Sequence, residues 1–278
     1  AKNRSKPFFI HTTPVMPHWG TCIGPQPPAP GYGPDDPHWE FTLVNPVTGR
    51  VTPRPISPCP SHAHAHDFDG QTNPHIPSWN VTASGVMPYF MSNQAVDSWD
   101  VVREDLGWRN RSAAVVDLDD LIAHVFAGLE ELDLMDNTFA FFSSDNGYHL
   151  GEHKLVFGKG QPYEPSVRLP MYVRGPGVPA GVISKLPTTH LDITVTIVAL
   201  MGATHAPATP RDLDGLSFAA ALADTPAASK LRATPEAWRD FSFSEFFMND
   251  CTWWNIRTVN STHKFSFHYW CTGEAEVF

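Results

Sequence analysis

The stretch Thr138-Phe-Ala-Phe-Phe-Ser-Ser144, followed directly by Asp145-Asn146-Gly147, carries the strongest structural signal in the chain. Its apolar run is too short for a helix and ends at turn-forming residues, which predicts a buried central strand. In open α/β sheets, ligands bind outside the carboxyl ends of the strands. Asp145 and Asn146 offer hard oxygen atoms that suit Ca²⁺ or Mg²⁺, although for this tripeptide alone a plain turn closing the strand is the alternative.

The segments on either side of this strand alternate between helical and extended patterns. Apolar residues at helical spacing predict a helix from Ala113 to Leu134, and the segment from Leu191 to Met201 looks like a packed helix. Between them, Pro170-Met-Tyr-Val-Arg174 reads as a further strand. Alternation of this kind predicts an α/β sheet.

The two ends of the chain have different patterns from the middle. The apolar run Pro7-Phe-Phe-Ile-His11 predicts a short buried strand, and the prolines that recur from Pro14 to Pro88 argue against regular ladders there. Near the other end, three β-like segments separated by short turns should pair antiparallel. We therefore divide the chain into residues 1–92, a first strand with a long Pro-rich loop region, residues 93–225, an α/β core, and residues 226–278, the start of an antiparallel C-terminal subdomain.

Composition excludes several classes of function. The formal net charge of −10 leaves no basic stripe for nucleic acid, and no run approaches the roughly 18 apolar residues needed to span a membrane. The four cysteines lack zinc-type spacing, so we expect disulfides pairing Cys22 with Cys59 and Cys251 with Cys271. Four glycosylation sequons also predict passage through a secretory compartment; they begin at Asn3, Asn80, Asn110 and Asn260.

The region from Ser144-Asp-Asn-Gly-Tyr-His-Leu-Gly-Glu-His153 to Arg174-Gly-Pro-Gly-Val178 resembles the second signature region of the sulfatases. It is closest in look to the N-acetylglucosamine-6-sulfatases and to algal and fungal arylsulfatases. The resemblance implies an alkaline phosphatase-like fold, with a mainly parallel sheet flanked by helices and a smaller antiparallel C-terminal sheet. It also implies a secreted or lysosomal enzyme that hydrolyses sulfate monoesters of sugars or aromatic alcohols with a formylglycine nucleophile.

The resemblance assigns roles to individual residues of this chain. Asp145 and Asn146 resemble two ligands of Ca²⁺, with Mg²⁺ possible, and Lys159 resembles the lysine that bridges substrate sulfate. His18 resembles the histidine beside the leaving oxygen, and His149 resembles a substrate contact. These groups suit sulfate ester cleavage because a divalent cation, an ammonium and an imidazolium can stabilise the developing negative charge.

The chain departs from the family pattern at the nucleophile. None of its four cysteines lies in the Cys-x-Pro-x-Arg motif that yields formylglycine, so the resemblance implies a partner: an N-terminal segment or chain carrying that motif. A non-catalytic sulfatase-like glycoprotein, acting as a structural or binding subunit, is the alternative. A phosphoryl-transfer enzyme on the same fold is less favoured, because such enzymes use more metal-binding side chains than this sequence offers.

Other conspicuous side chains have simpler interpretations. The histidines at 62, 64 and 66 could chelate a metal but are better read as a solvated loop. Phe246-Phe247 and Trp253-Trp254 could stack on a sugar, and packing against the main sheet is favoured instead. Glu152 and His153 could form an acid/base pair, but a contact of this loop with Lys154 or Arg168 is preferred.

Overall fold

A computed structural model describes residues 7–18, 41–44, 51–54, 60–61, 63–81, 98–155, 158–202, 213–248, 251–259 and 263–278. The chain divides into two compact units, the first made of residues 1–80 with 95–131 and the second of residues 81–94 with 132–278. This division differs from the three-part partition drawn from the sequence, because the long central helix groups with the N-terminal residues.

The described residues of the first unit form a strand pair and one long helix. Strands β1 (Phe41–Val44) and β2 (Val51–Arg54) pair antiparallel, with Pro53 opposite Thr42. The prediction that the Pro-rich tract holds no regular ladder is therefore wrong. In a two-stranded sheet both strands are edge strands, and a proline is tolerated where its missing N–H would not face the partner strand.

Helix α1 (Ser98–Glu131) confirms the predicted helix but begins well before Ala113. Its most buried residues have small or polar side chains, which the search for apolar spacing overlooked; they are Glu104, Asn110, Ala113 and Ala114. The loop before the helix is tied to it by polar contacts within the unit. Asp105 accepts a hydrogen bond from the backbone N–H of Asn73 at 2.8 Å, and Asp117 accepts one from Ser61 at 2.7 Å.

The predicted buried strand at residues 7–11 is wrong. These residues follow an irregular path, and Phe9 and Ile10 are 63% and 66% exposed. An apolar run forms a strand only where a neighbouring strand completes its hydrogen-bond ladder, and the sheets among the described residues do not include this run.

The first elements described in the second unit are a 3₁₀ turn at Met135–Asn137 and strand β3 (Ala140–Ser143). The elements that follow are α2 (Glu164–Val167), β4 (Met171–Arg174), α3 (His190–Leu200), α4 (Ala219–Leu222), α5 (Pro226–Ala233) and a 3₁₀ turn at Pro235–Ala237. The predicted strand ending at Arg174 and the predicted helix from Leu191 are thus confirmed nearly to the residue.

Strand β3 differs from its prediction in its surroundings. Within the described part of the chain it pairs with β4 alone, antiparallel, with Phe141 opposite Val173. Phe142 is 36% exposed, so the strand is half-buried and lies in a two-stranded sheet. The apolar run correctly predicts a strand, but burial on both faces and parallel neighbours depend on other elements that the run itself does not specify.

The C-terminal sheet has four antiparallel strands in the order β5-β6-β7-β8. Their bounds are β5 (Ser242–Met248), β6 (Cys251–Val259), β7 (Lys264–Trp270) and β8 (Ala275–Val277). This confirms the three predicted segments and adds a fourth strand. One face packs inward, where Trp253 and Trp270 join Leu155 and Tyr163 in the buried apolar cluster of this unit.

Candidate functional site

The tip of β3 presents two oxygen-bearing side chains. Asp145 is exposed, and its Oδ1 accepts the backbone N–H of Asn146 at 2.7 Å. The amide nitrogen of Asn146 donates to the carbonyl of Gly147 at 2.8 Å. That bond uses the side-chain nitrogen, so Oδ1 is the side-chain atom that contacts other groups.

Lys159 reaches the same point from the other end of a loop. Its Nζ donates a hydrogen bond of 3.1 Å to Asn146 Oδ1, although the two residues are 13 positions apart. Lys159 is exposed while Asn146 is half-buried, so the ammonium group lies at the surface of the site. Three of the predicted site residues, Asp145, Asn146 and Lys159, therefore come together in the second unit.

The loop between these residues is closed by backbone hydrogen bonds. His149 and Gly158 form an antiparallel bridge, with N–H to carbonyl distances of 2.8 and 3.0 Å. At the strand tip the N–H of Gly147 donates to the carbonyl of Ser166 at 2.9 Å. These bonds bring the residue before Lys159 back toward β3, which explains how a sequence separation of this length is spanned.

The remaining predicted residues are placed differently. His149 lies in this loop but is only 4% exposed, whereas Asp145 is exposed, so its contact with substrate stays a prediction. His18 is an exposed residue of the first unit, where its backbone N–H donates to the carbonyl of Val15 at 2.8 Å. Its role beside the leaving oxygen also stays a prediction.

Glu152 does not make the predicted contact with Lys154 or Arg168. Its carboxylate instead accepts the backbone N–H of Leu150 at 2.6 Å. This short bond caps the turn in which His153 and Lys154 adopt positive φ values of 55° and 60°. Glu152 therefore has a structural role in this loop, because its carboxylate is engaged in a hydrogen bond with the backbone of the turn.

The side chains that bind the loop after Lys159 were not identified from the sequence. Trp253 donates its indole N–H to the carbonyl of Gly160 at 2.7 Å, and Tyr163 donates its hydroxyl to the buried Glu276. Burial, followed by the adjacent Glu276 carboxylate, raises the pKa of Tyr163 well above its ordinary value, so the hydroxyl keeps its proton. The only sequence signal was the position of Tyr163, four residues after Lys159.

The family model for Sulfatase matches residues 1–203. The chain belongs to the sulfatase family. It is 28% identical over 274 residues to Sulfatase ppz1 of Metarhizium majus (strain ARSEF 297), covering 98% of this chain and 53% of that protein. It is also 31% identical over 209 residues to the Arylsulfatase of Volvox carteri, covering 71% of this chain and 29% of that protein.

A third relative is the N-acetylglucosamine-6-sulfatase of Bos taurus, 30% identical over 173 residues, covering 60% of this chain and 30% of that protein. This sulfatase chain thus spans about half the length, or less, of the relatives it matches. Among solved structures, BT4656 in complex with its substrate D-glucosamine-2-N,6-O-disulfate is 24% identical, with a TM-score of 0.55. That match covers 68% of this chain and 37% of that one and shows the alkaline phosphatase-like fold of sulfatases.

Sulfatases generally depend on a metal ion, and the residues at the β3 tip fit part of such a site. The carboxylate of Asp145 and the amide oxygen of Asn146 are ligands of the type that hard cations take. In the portion of the chain that the structure describes, no group of three or more His, Cys, Asp or Glu side chains is placed to hold a metal. Since Ca²⁺ takes about six to eight oxygens, two side chains alone would not complete its coordination sphere, and their role as metal ligands stays a prediction.

The histidine-rich loop forms ion pairs with acidic side chains. His64 lies between two carboxylates, with Nδ1 2.7 Å from Asp67 and Nε2 3.0 Å from Asp120. His66 Nδ1 lies 2.9 Å from Asp69. The third histidine of the predicted cluster, at position 62, lies outside the described residues.

Two predictions about covalent modification can be placed. Asn110 is 9% exposed in the middle of α1, and its glycosylation stays a prediction. Asn80 is half-buried in a turn with φ of 51°, and Asn3 and Asn260 lie outside the described residues. The glycosylation of these three also stays a prediction.

The disulfide pairs also stay predictions. Cys22 and Cys59 lie outside the described residues. Cys251 begins β6, and the exposed Cys271 directly follows β7, the strand paired with β6. No α-helix among the described residues is both long and apolar enough to cross a membrane.

Proposed function

We propose that the protein of which this chain is part hydrolyses sulfate monoesters, and that Lys159 binds the sulfate group. The supporting observation is the 3.1 Å hydrogen bond from Lys159 Nζ to Asn146 Oδ1, which sets an ammonium group beside the oxygens at the β3 tip. An anion that arrives there meets a positive charge already oriented by the protein. Preorganised charge of this kind stabilises negative charge as it develops on sulfate oxygens.

The substrate class we propose is a sulfated sugar or an aryl sulfate. The relatives named arylsulfatase and N-acetylglucosamine-6-sulfatase support both choices. We propose Ca²⁺, with Mg²⁺ as the alternative, as the cation that Asp145 and Asn146 help to hold. When bound, such a cation would supply Lewis-acid polarisation of an oxygen atom of the ester.

We also propose roles for two histidines of this chain, His18 and His149. An imidazolium at His18 would hand a proton to the departing alcohol oxygen, and His149 would contact the sulfate or a substrate hydroxyl. The formylglycine nucleophile would come from an N-terminal segment or chain carrying Cys-x-Pro-x-Arg. We further propose a secreted or lysosomal location, which the extracellular relatives of Caenorhabditis elegans and Drosophila melanogaster support.

The decisive experiment compares two lysine variants of the full-length protein on a chromogenic aryl sulfate and on glucosamine 6-sulfate. Lys159→Ala should lower turnover by about 10²–10³-fold, because one preorganised charge donor is lost. Lys185→Ala, the matched control, removes an exposed lysine of the same unit and should leave turnover unchanged. Equal turnover for the two variants would refute the role of Lys159.

Two further measurements test the rest of the proposal. Intact mass and N-terminal sequencing of the purified natural protein should show a segment or companion chain with the nucleophile motif. Sulfate ester that binds to the full-length protein without being cleaved would favour the non-catalytic alternative instead.

A further inference from the structure

The inner face of the C-terminal sheet contacts the backbone immediately after Lys159. Trp253 of β6 donates its indole N–H to the carbonyl of Gly160 at 2.7 Å. Two residues further along the loop, the carbonyl of Pro162 accepts from Asn255 at 3.3 Å and from Arg257 at 3.2 Å. Alternate residues of one strand therefore bind the loop, because side chains two positions apart share a face of a sheet.

A second, buried set of hydrogen bonds holds the same loop. The hydroxyl of Tyr163 donates to both carboxylate oxygens of Glu276 on β8, at 3.1 and 3.0 Å. Trp270 donates its indole N–H to Glu276 at 3.0 Å, and His268 Nδ1 lies 3.5 Å from the same carboxylate. All four side chains are at most 5% exposed, so these hydrogen bonds form away from water.

A buried carboxylate gives this contact its rigidity. A charge removed from water must keep its hydrogen-bond donors, because losing one leaves an uncompensated charge in a medium of low dielectric constant. Tyr163 cannot move away from the sheet without taking a donor from Glu276. Since burial keeps the tyrosine protonated, the donor is present at every physiological pH.

The spacing between these anchors and Lys159 is short. Gly160 has φ of 89°, and a Cβ added to it would lie 3.2 Å from the ring of Phe246, so the loop passes close against β5. On the other side of Lys159, Gly158 is held by its bridge to His149. The backbone is thus tied on both sides of a side chain that is itself exposed and has four rotatable bonds.

We propose that Trp253, together with the Tyr163–Glu276 pair, positions Lys159, so that the C-terminal sheet decides where the sulfate-binding ammonium group lies. The inference rests on the proposed function of Lys159. Neither Trp253 nor Glu276 touches substrate in this account; each acts through the backbone of residues 160–163. A displacement of about 1 Å at a catalytic group can lower the rate by about a hundredfold, which makes such anchoring functionally important.

The test uses Trp253→Phe in the full-length protein. Phenylalanine retains the ring that stacks on Phe246 at 6.0 Å but lacks the N–H that binds Gly160. Turnover of an aryl sulfate, measured well below the melting temperature of the variant, should fall about tenfold or more. Trp254→Phe is the matched control, because Trp254 lies on the same strand but faces away, packing on Phe267 and Tyr269, and its turnover should not change.

A double-mutant cycle separates positioning from general structural support. In the Lys159→Ala background, Trp253→Phe should have almost no further effect on turnover, because its only route to the reaction has been removed. Tyr163→Phe, which deletes one hydroxyl, should show the same coupling and carries the test if the tryptophan variant folds poorly.

The outcomes distinguish this inference from the proposed function. If Lys159→Ala retains wild-type turnover, the proposed role of Lys159 fails and the inference with it. If Lys159→Ala is impaired but Trp253→Phe lowers turnover by the same factor in both backgrounds, the role of Lys159 stands and the positioning role is refuted. Equal activity of the two tryptophan variants would refute it as well.

Discussion

Gly147 lies directly against the backbone of Pro165: a Cβ on Gly147 would come within 2.9 Å of the Pro165 carbonyl carbon and closer still to its oxygen. The next residue, Ser166, accepts the N–H of Gly147 at 2.9 Å. This approach docks helix α2 against the end of β3, beside Asp145 and Asn146. Only glycine fits, because the obstacle is backbone and cannot rotate aside.

Gly147→Ala should therefore destabilise the protein by about 1–3 kcal/mol, the range for forcing extra atoms into a packed region. Urea denaturation of the full-length protein measures the change. Gly128→Ala is the control: it lies within α1 with nothing within 4 Å of an added Cβ, so alanine should stabilise by about 0.5–1 kcal/mol. Similar stability changes in the two variants would contradict the close approach.

Asp192→Ala should destabilise the second unit strongly. Asp192 is fully buried and accepts hydrogen bonds of 2.7 Å from the backbone of Thr189, the backbone of Leu216 and the side chain of Arg239. Removing it leaves the Arg239 charge with little solvent and no counterion at this position, which costs about 3–5 kcal/mol.

Chemical denaturation tests the Asp192 prediction against Asp214→Ala. Asp214 is an exposed aspartate of the same unit, and its replacement should change stability by less than about 0.5 kcal/mol. A small effect at both positions would show that the buried ion pair contributes little.

The ion pairs of His64 should depend on pH. Hydrogen bonds that the His64 ring donates to the carboxylate of Asp120, and then to that of Asp67, raise the pKa of His64 above its ordinary value of 6.5. A histidine whose pKa is raised by folding contributes stability that is fully present below its unfolded pKa and is lost as pH rises through the folded pKa. The tie between this loop and α1 should therefore weaken on the alkaline side.

An NMR titration of the His64 ring in the full-length protein checks the direction. The midpoint should lie above 6.5 and should fall toward that value in Asp120→Asn, which removes the carboxylate whose hydrogen bond contributes most to the raised pKa. A midpoint at or below 6.5 in the unmodified protein, or no response to Asp120→Asn, would contradict the arrangement.

Asp145→Ala should weaken calcium binding by the full-length protein at least about tenfold, because it removes a charged oxygen ligand. Isothermal titration with CaCl₂ after chelator treatment measures this without relying on turnover. Asp136→Ala is a suitable control, since Asp136 is an exposed aspartate of the same unit. Unchanged affinity in Asp145→Ala would remove this residue from the metal site.

Local patterns predicted the regular elements well where a single period dominates. Strands β6 and β7 and helix α3 lie close to the segments predicted for them. Patterns did worse where burial depends on a partner: the run at residues 7–11 is exposed, and Asn110 is buried on a helix face lined by small residues. The reason is that the hydrophobicity of a segment indicates which side chains it can bury, whereas the neighbouring elements determine which of those side chains are shielded from solvent.

By itself the sequence determined that an Asp-Asn-Gly tip ends an apolar strand and that a Lys-Gly-Gln-Pro-Tyr segment follows it, because both are continuous stretches with local signals. Only the tertiary structure shows that Lys159 donates a hydrogen bond to Asn146 and that Tyr163 donates one to Glu276, 113 residues later. Contacts at such separations arise from the packing of a whole sheet against a loop, and no local pattern of residues encodes them.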